Sequence, residues 1–235
     1  MESIEAKIQR VLRTPSVFNW ARQNHPRLDD TTREILNLAT NPPHHNLVPI
    51  GRLCHQLANR HKTFQEVWDA TENYQDFLRM AADEVLPTFD HYLTQRQIEV
   101  VPDFVTTPYQ YPFARKDDGT VRSIPMQPTF VAIEGDKLIP YFSVYWARPN
   151  FKYFQVQLIC SIIKDAVLTR EDYRHSDAKV MLIRRCGKWG NDRSVETWSV
   201  SSYATLSRPE IEKQFGTYNQ AIEDVIARLS AESAR

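Results

Sequence analysis

The stretch from Gln127 to Lys164 constrains the fold more than any other part of the sequence. Its first half contains two apolar segments on either side of the turn sequence Glu134-Gly135-Asp136-Lys137, which predicts a β-hairpin. Its second half has apolar residues at helical spacing, namely Phe151, Phe154, Leu158, Ile162 and Val167. A hairpin that leads directly into a helix is a common scaffold for active sites. We therefore expect functional residues around this stretch.

The chain before this stretch is predicted to be helical, because its apolar residues recur at helical spacing. Leu53, Leu57 and His61 are predicted to share one helix face, and Pro87 is predicted to break a helix. The predicted helices run from Ser3 to Leu12, from Leu28 to a break at Asn41–His45, and over most of Ile50 to Leu93. The pair His44-His45 has no third ligand nearby, so we interpret it as part of a solvated loop.

From Gln97 onwards the apolar spacing changes to that of strands. Two further hairpins are predicted, with turns at Asp117-Asp118-Gly119 and at Gly187–Asp192, and a last helix is predicted from Ser207. The predicted fold class is α+β (mixed α/β), with a central sheet flanked by helices. We divide the chain into a helical N-terminal region, residues 1–95, and an α/β core, residues 96–235.

The composition excludes few functional classes. The net charge is zero, with 29 basic and 29 acidic residues, so the charge of the whole chain selects no partner. The sequence contains no apolar run long enough to span a membrane and no secretory signal peptide, which predicts a protein without a membrane association. Three cysteines without paired spacing predict neither a disulfide framework nor a zinc site. We expect an intracellular protein of a reducing compartment, cytosolic or nuclear.

One part of the chain is locally basic. Residues 137–193 contain eleven Lys or Arg against five Asp or Glu, which is typical either of a solvated face or of a surface that contacts phosphates. For the second interpretation, the candidate nucleic-acid-binding residues are Arg148, Lys152, Arg184, Arg185 and Lys188, with Trp146 and Trp189 as candidates for stacking on bases.

The order of the predicted elements is helices, a β-meander, a hairpin, a helix, another hairpin and a closing helix. This order resembles the PD-(D/E)XK nuclease superfamily, and in particular its RecB-type branch. That branch carries a Gly-x-x-x-His motif on a helix before the sheet, and Gly51-Arg-Leu-Cys-His55 matches it. A following strand often begins with Glu, as in Gln97-Ile-Glu99. The resemblance therefore implies a restriction-endonuclease-like central sheet and makes His55 and Glu99 candidate catalytic residues.

The central motif of the family departs from its usual residues in this chain. Thr129 stands where the family has Asp at the start of the first hairpin strand. Ser143 and Tyr145 stand where the second strand carries (Asp/Glu)-x-Lys. The helix motif Gln-x-x-x-Tyr keeps Gln157 but has Ser161 in place of Tyr.

These departures change the expected chemistry. The nucleases of this family bind Mg²⁺ through carboxylates, and Mg²⁺ prefers charged oxygen ligands. Thr129 and Ser143 supply no charge, and Tyr145 is no cation at neutral pH. We therefore expect neither a cofactor nor a bound metal, and Mg²⁺ only if the chain is active. In an active chain, Lys152 or Lys164 would replace the missing lysine.

Three hypotheses follow. The first is a catalytically degenerate nuclease-fold protein that binds DNA or RNA or forms part of a complex. The second is an active metal-dependent nuclease with a rearranged site. The third is a protein–protein interaction or regulatory factor that binds a protein through aromatic helices such as Phe64–Met80 and contacts no nucleic acid.

Overall fold

The structure is a computed structural model that describes residues 2–42, 46–115, 121–187 and 190–233. The predicted loop at His44-His45, the predicted turn at Asp117-Asp118-Gly119 and the candidates Lys188 and Trp189 lie outside the described residues.

The described residues form a mixed α/β fold with eight α-helices, as the fold class predicts. The helices are α1 (Ile4–Leu12), α2 (Val17–Gln23), α3 (Leu28–Thr40), α4 (Val48–Ala58), α5 (Phe64–Asp69), α6 (Asp76–Gln95), α7 (Tyr153–Ala166) and α8 (Arg208–Ser233). The strands are β1 (Glu99–Val100), β2 (Tyr109–Arg115), β3 (Val121–Met126), β4 (Phe130–Glu134), β5 (Lys137–Val144), β6 (Lys179–Arg185) and β7 (Arg193–Ser199).

Five strands form the central sheet in the order β1-β4-β5-β6-β7. Strands β4 and β5 are the predicted hairpin, and their register pairs Phe130 with Tyr141. Helix α7 connects β5 to β6, which run parallel, and the other neighbouring strands are antiparallel. The carboxyl ends of β5 and β6 therefore lie at the same edge of the sheet. Strands β2 and β3 form a separate two-stranded sheet.

Helices cover both faces of the central sheet, because its strand residues alternate between two apolar cores. On one face, Phe142 and Val144 pack with residues of α1, α2, α3, α7 and α8. On the other face, Tyr141 and Tyr145 pack with residues of α4, α5 and α6. The helices of residues 1–95 thus contribute to both layers. The division of the chain at residue 95 stays a prediction.

Helix α6 corrects one prediction, since it continues through Pro87 instead of breaking there. A proline inside a helix removes one backbone hydrogen bond and costs about 3 kcal/mol. Val85, Leu86 and Phe89, on either side of it, are completely buried. The burial of these side chains holds the helix together across the missing bond.

Helix α4 corrects a second prediction, since it ends at Ala58 and His61 is not part of it. Arg60 has a positive φ of 57°, a left-handed conformation that turns the chain away from the helix axis. His61 therefore does not continue the face of Leu53 and Leu57.

A buried ion-pair group joins α6 to the ends of β6 and β7. Glu84 of α6 accepts hydrogen bonds from Arg185 and Arg193, and the side chain of Arg193 is only 3% exposed. Arg193 Nη1 also donates to the carbonyl oxygens of Tyr145 and Ile183, each at 2.8 Å. Burial alone would raise the pKa of Glu84, but the hydrogen bonds from the two guanidinium groups outweigh it and lower the pKa. Glu84 is therefore the anion that balances a buried arginine.

We expect Glu84→Gln to lower the free energy of unfolding by about 3–5 kcal/mol at pH 7, because it leaves the buried Arg193 without an anionic partner. Urea unfolding measures this difference. The matched control is Glu196→Gln, which removes the exposed partner of Arg184 and should cost less than about 1 kcal/mol.

The difference in unfolding free energy between wild type and Glu84→Gln should also depend on pH. Because the pKa of Glu84 is lowered on folding, its stabilising effect is present above the ordinary carboxyl pKa of about 4.3 and is lost as the pH falls through the lowered value. The difference between wild type and Glu84→Gln should therefore narrow on acidification below that range. A difference that widens in acid would contradict the assignment.

Candidate functional site

The Gly-x-x-x-His sequence lies on α4, and both Gly51 and His55 are directed at the hairpin of β4 and β5. A Cβ atom at Gly51 would lie 3.2 Å from Cε2 of Tyr145, so any larger residue would push against the ring at the end of β5. His55, one helical turn later, places Nδ1 at 2.9 Å from the carbonyl oxygen of Thr129. The motif thus docks α4 on the start of β4 and the end of β5 together.

The hydrogen bond at Thr129 determines the tautomer of His55. Nδ1 lies 2.9 Å from the Thr129 carbonyl oxygen, which only accepts, and 3.2 Å from the amide nitrogen of Asn59, so the shorter contact favours the tautomer in which Nδ1 carries the proton and donates it to Thr129. In the neutral ring, Nε2 then keeps a lone pair. A histidine held in this way through one nitrogen is oriented for a base or a ligand role through the other.

Thr129, Ser143 and Tyr145 meet at this point. The backbone N–H of Ser143 donates to Oγ1 of Thr129 at 3.2 Å, and Oγ1 lies 3.4 Å from the hydroxyl of Tyr145. Thr129 N–H donates to the Tyr141 carbonyl at 2.6 Å, which anchors the threonine to β5. We call His55, Thr129, Ser143 and Tyr145 the central group.

The three hydroxyl side chains of the central group, Thr129, Ser143 and Tyr145, carry no charge. Thr129 and Tyr145 are 8% and 9% exposed. Burial raises the pKa of Tyr145 well above its ordinary value, so its phenol keeps its proton. Burial also raises the pKa of the neighbouring Cys54, which therefore stays a thiol.

An acid that sequence reasoning missed lies next to the central group. Asn59 is buried, and its amide nitrogen donates to the carbonyls of His55 and Thr129 at 2.8 and 3.3 Å. Its oxygen accepts from the backbone N–H of Asp103, whose carboxylate binds Nε2 of His61 at 2.8 Å. The rings of His61 and His55 are 5.9 Å apart. The only sequence signal for Asp103 is its position within the strand-like region predicted from Gln97 onwards.

Glu99, the other catalytic candidate, does not join the central group. Its partner across the ladder is Ile133, at the far end of β4 from Thr129 and about 13 Å away along the strand. Directly opposed residues point to the same face of a sheet, so Glu99 shares the face of Ile133. Ile133 lies on the same face as Val131, which packs with α7, and on the opposite face from Ala132, which packs with α4. Glu99 is exposed and leaves the sheet on the face opposite to Ser143 and Tyr145.

Two of the basic candidates form ion pairs within the protein. Arg184 lies 2.7 Å from Glu196 on the neighbouring strand, and Arg185 binds Glu84 through two nitrogens. Arg148 is exposed in the loop between β5 and α7, and Lys152 is exposed at the N-cap of α7. The loop and the N-cap lie at the edge of the sheet where β5 ends.

Trp146 is half-buried instead of presented for stacking. Its ring lies 5.5 Å from that of Phe151, and the guanidinium of Arg22 lies over it at 5.2 Å. This packing fixes the loop that follows β5.

Ser161, which replaces Tyr in the helix motif, has a structural role on α7. Its hydroxyl donates to the carbonyl of Gln157 at 2.6 Å and accepts from the backbone N–H of Leu206 at 2.7 Å. It attaches the helix to the chain that precedes α8.

The central group offers little to a metal ion. Among the partners described for its four side chains there is no carboxylate, and no three His, Cys, Asp or Glu side chains of the described ranges are arranged to hold a metal. Two surface cavities, of 450 and 420 Å³, are lined by other residues. The arrangement can orient an imidazole, but it supplies no fixed negative charge.

No protein-family model, curated protein or solved structure matched this chain in our comparisons. No helix in the part of the chain that the structure describes is both long and apolar enough to cross a membrane. The three cysteines are free thiols.

We expect Gly51→Ala to destabilise the protein by about 1 kcal/mol, because the new methyl group would press on the buried ring of Tyr145. The control is Gly216→Ala in α8, where no atom lies within 4 Å and alanine should stabilise the helix by about 1 kcal/mol. Thermal or urea unfolding gives both values. If the two substitutions stabilise the protein equally, the contact between position 51 and Tyr145 has no effect on stability.

Proposed function

We propose that this chain is a nuclease-like domain that binds nucleic acid without hydrolysing it. The observation that carries the proposal is the central group, in which Thr129, Ser143 and Tyr145 meet beside His55. These are the positions where the resemblance implies two metal-binding acids and a lysine.

The chemistry of the central group supports a loss of hydrolysis. Phosphodiester cleavage by this family needs Mg²⁺, whose protein ligands include one or two carboxylates. Hydroxyl groups occupy these positions here and are engaged with one another. The raised pKa of Tyr145 keeps it neutral, so it replaces neither an acid nor the lysine. A group of this kind stabilises the junction of α4, β4 and β5 rather than a transition state.

The order of the elements supports the nuclease-like part of the proposal. Helices, a hairpin, a connecting helix, a second hairpin and a closing helix follow one another as the resemblance implies. Both ends of Gly51-x-x-x-His55 contact the hairpin. A motif that arose by chance would have no reason to direct its two defining residues at this point.

The exposed basic residues at the edge of the sheet where β5 ends support nucleic acid as the partner. Arg148 and Lys152 lie just after the end of β5, within the tract of residues 137–193 in which basic residues predominate. Positive side chains beside a site edge attract the phosphate backbone independently of sequence.

A metal-dependent nuclease with a rearranged site is the second candidate, and Asp103 favours it. Its carboxylate binds His61, whose ring lies 5.9 Å from that of His55, so an acid is linked to the oriented ring through a second imidazole. In this case Asp103 would take over the role of an acid that the hairpin lacks.

One experiment separates the two candidates. Labelled single- and double-stranded DNA and RNA are incubated with the protein and Mg²⁺ or Mn²⁺, and the products are resolved on native and denaturing gels. We expect a mobility shift that weakens steeply with salt, since bound phosphates release counterions, and intact strands on the denaturing gel.

The control variants are His55→Ala and Asp103→Ala. Cleavage by wild type that both substitutions abolish would establish the second candidate and contradict the first. Cleavage that persists in both variants would indicate a contaminating nuclease. The absence of any shift, with DNA and RNA alike, would overturn the nucleic-acid proposal.

A further inference from the structure

The N-terminal end of α7 combines exposed positive charge with an exposed aromatic ring. Arg22, Arg148 and Lys152 are exposed there, and Tyr153, the first residue of α7, is 61% exposed. We call these four residues the basic edge. Arg148 and Lys152 are candidates predicted from the sequence, whereas Arg22 and Tyr153 are not.

The chain holds the members of the basic edge together through contacts beneath them. Gln155 Nε2 donates to the carbonyls of Arg22 and Asn24 at 2.7 and 3.2 Å, and its oxygen accepts from the backbone N–H of Lys152 at 2.9 Å. Gln155 is buried, so the end of α2 is fixed against the start of α7. Arg22 is also held over Trp146. Arg22 and Lys152 are thus held near each other through Gln155.

No acidic residue stands in the first turn of α7, where Lys152 and Tyr153 lie. Tyr153 makes one described ring contact, with Tyr203 at 6.3 Å, and most of its surface remains open to solvent. Tyrosine with this exposure next to a lysine and two arginines is complementary to a nucleotide, which offers an anionic phosphate and a flat base.

We propose that the basic edge binds a single strand of nucleic acid, with phosphates on Arg22, Arg148 and Lys152 and a base stacked on Tyr153. The inference rests on the proposed function and specifies its ligand. A base in a duplex is stacked between its neighbours, so its face is closed to a side chain. Only an unpaired base can lie on the ring of Tyr153. Arg148, Lys152 and Tyr153 come within eight residues of Tyr145 along the chain, so the strand would lie at the edge of the sheet where β5 ends.

The test is fluorescence anisotropy with labelled oligo-dT, oligo-U and a DNA duplex of equal length, measured over a range of salt concentrations. Wild type should bind the single strands more tightly than the duplex, and the two single strands reveal any preference between DNA and RNA. Tyr153→Ala should weaken single-strand binding by about tenfold, whereas Tyr153→Phe, which keeps the ring, should bind like wild type.

Lys152→Gln should lower the slope of log K against log salt by about 0.7, the value for one phosphate contact on a single strand. Its matched control is Lys164→Gln, an exposed lysine on the same helix about 18 Å further along, which should leave the slope unchanged.

The outcomes distinguish the inference from the proposed function. If wild type binds nucleic acid but Tyr153→Ala and Lys152→Gln bind equally well, the basic edge is not the binding surface while the proposed function stands. Binding of the duplex as tightly as the single strands would also overturn the inference. If wild type binds none of the three probes, both the inference and the proposed function fail.

Discussion

The hydrogen bond from His55 to the carbonyl of Thr129 and the close contact of Gly51 with Tyr145 define one junction on which the rest of the structure depends. They bring α4 against the hairpin at the point where β4 begins and β5 ends. From that junction, α6 is fixed by Glu84 and the buried Arg193, whose guanidinium holds the carbonyl of Tyr145. The same strand end leads into the loop and helix that form the basic edge. One junction thus connects the helical layer, the sheet and the proposed binding surface.

The neutrality of the junction determines what it can do. Charged groups that bind a metal repel one another and need solvent or an ion between them. Thr129, Ser143 and Tyr145 instead pack and hydrogen-bond directly, so their site is closed and contributes to stability. Function is then expected at the neighbouring edge, where Arg148, Lys152 and Tyr153 remain exposed. The separation of a closed centre from an exposed, positive edge is the physical argument for the proposed binding without hydrolysis.

Local patterns predicted most of the fold, because hairpins, helix caps and apolar spacing depend on neighbouring residues. The hairpin of β4 and β5 and the start of α8 after Ser207 are confirmed. Two predictions were wrong for tertiary reasons: burial carries α6 through Pro87, and a left-handed Arg60 separates His61 from α4. Helix α2 was not predicted, because its short sequence contributes mainly Trp20, whose burial depends on α8. Among the site residues, the sequence predicted His55 from its spacing to Gly51. Asp103 and Tyr153 were not predicted, because the partners of Asp103 and the exposure of Tyr153 depend on the tertiary structure and not on a local pattern.

The proposal that Thr129, Ser143 and Tyr145 form an uncharged joint and hold no metal is tested most directly by calorimetric titration with Mn²⁺. We expect no saturable heat from the wild-type protein at millimolar Mn²⁺, and no difference between wild type and His55→Ala, because the group lacks carboxylates. A saturable site of micromolar affinity that His55→Ala or Asp103→Ala removes would contradict the claim.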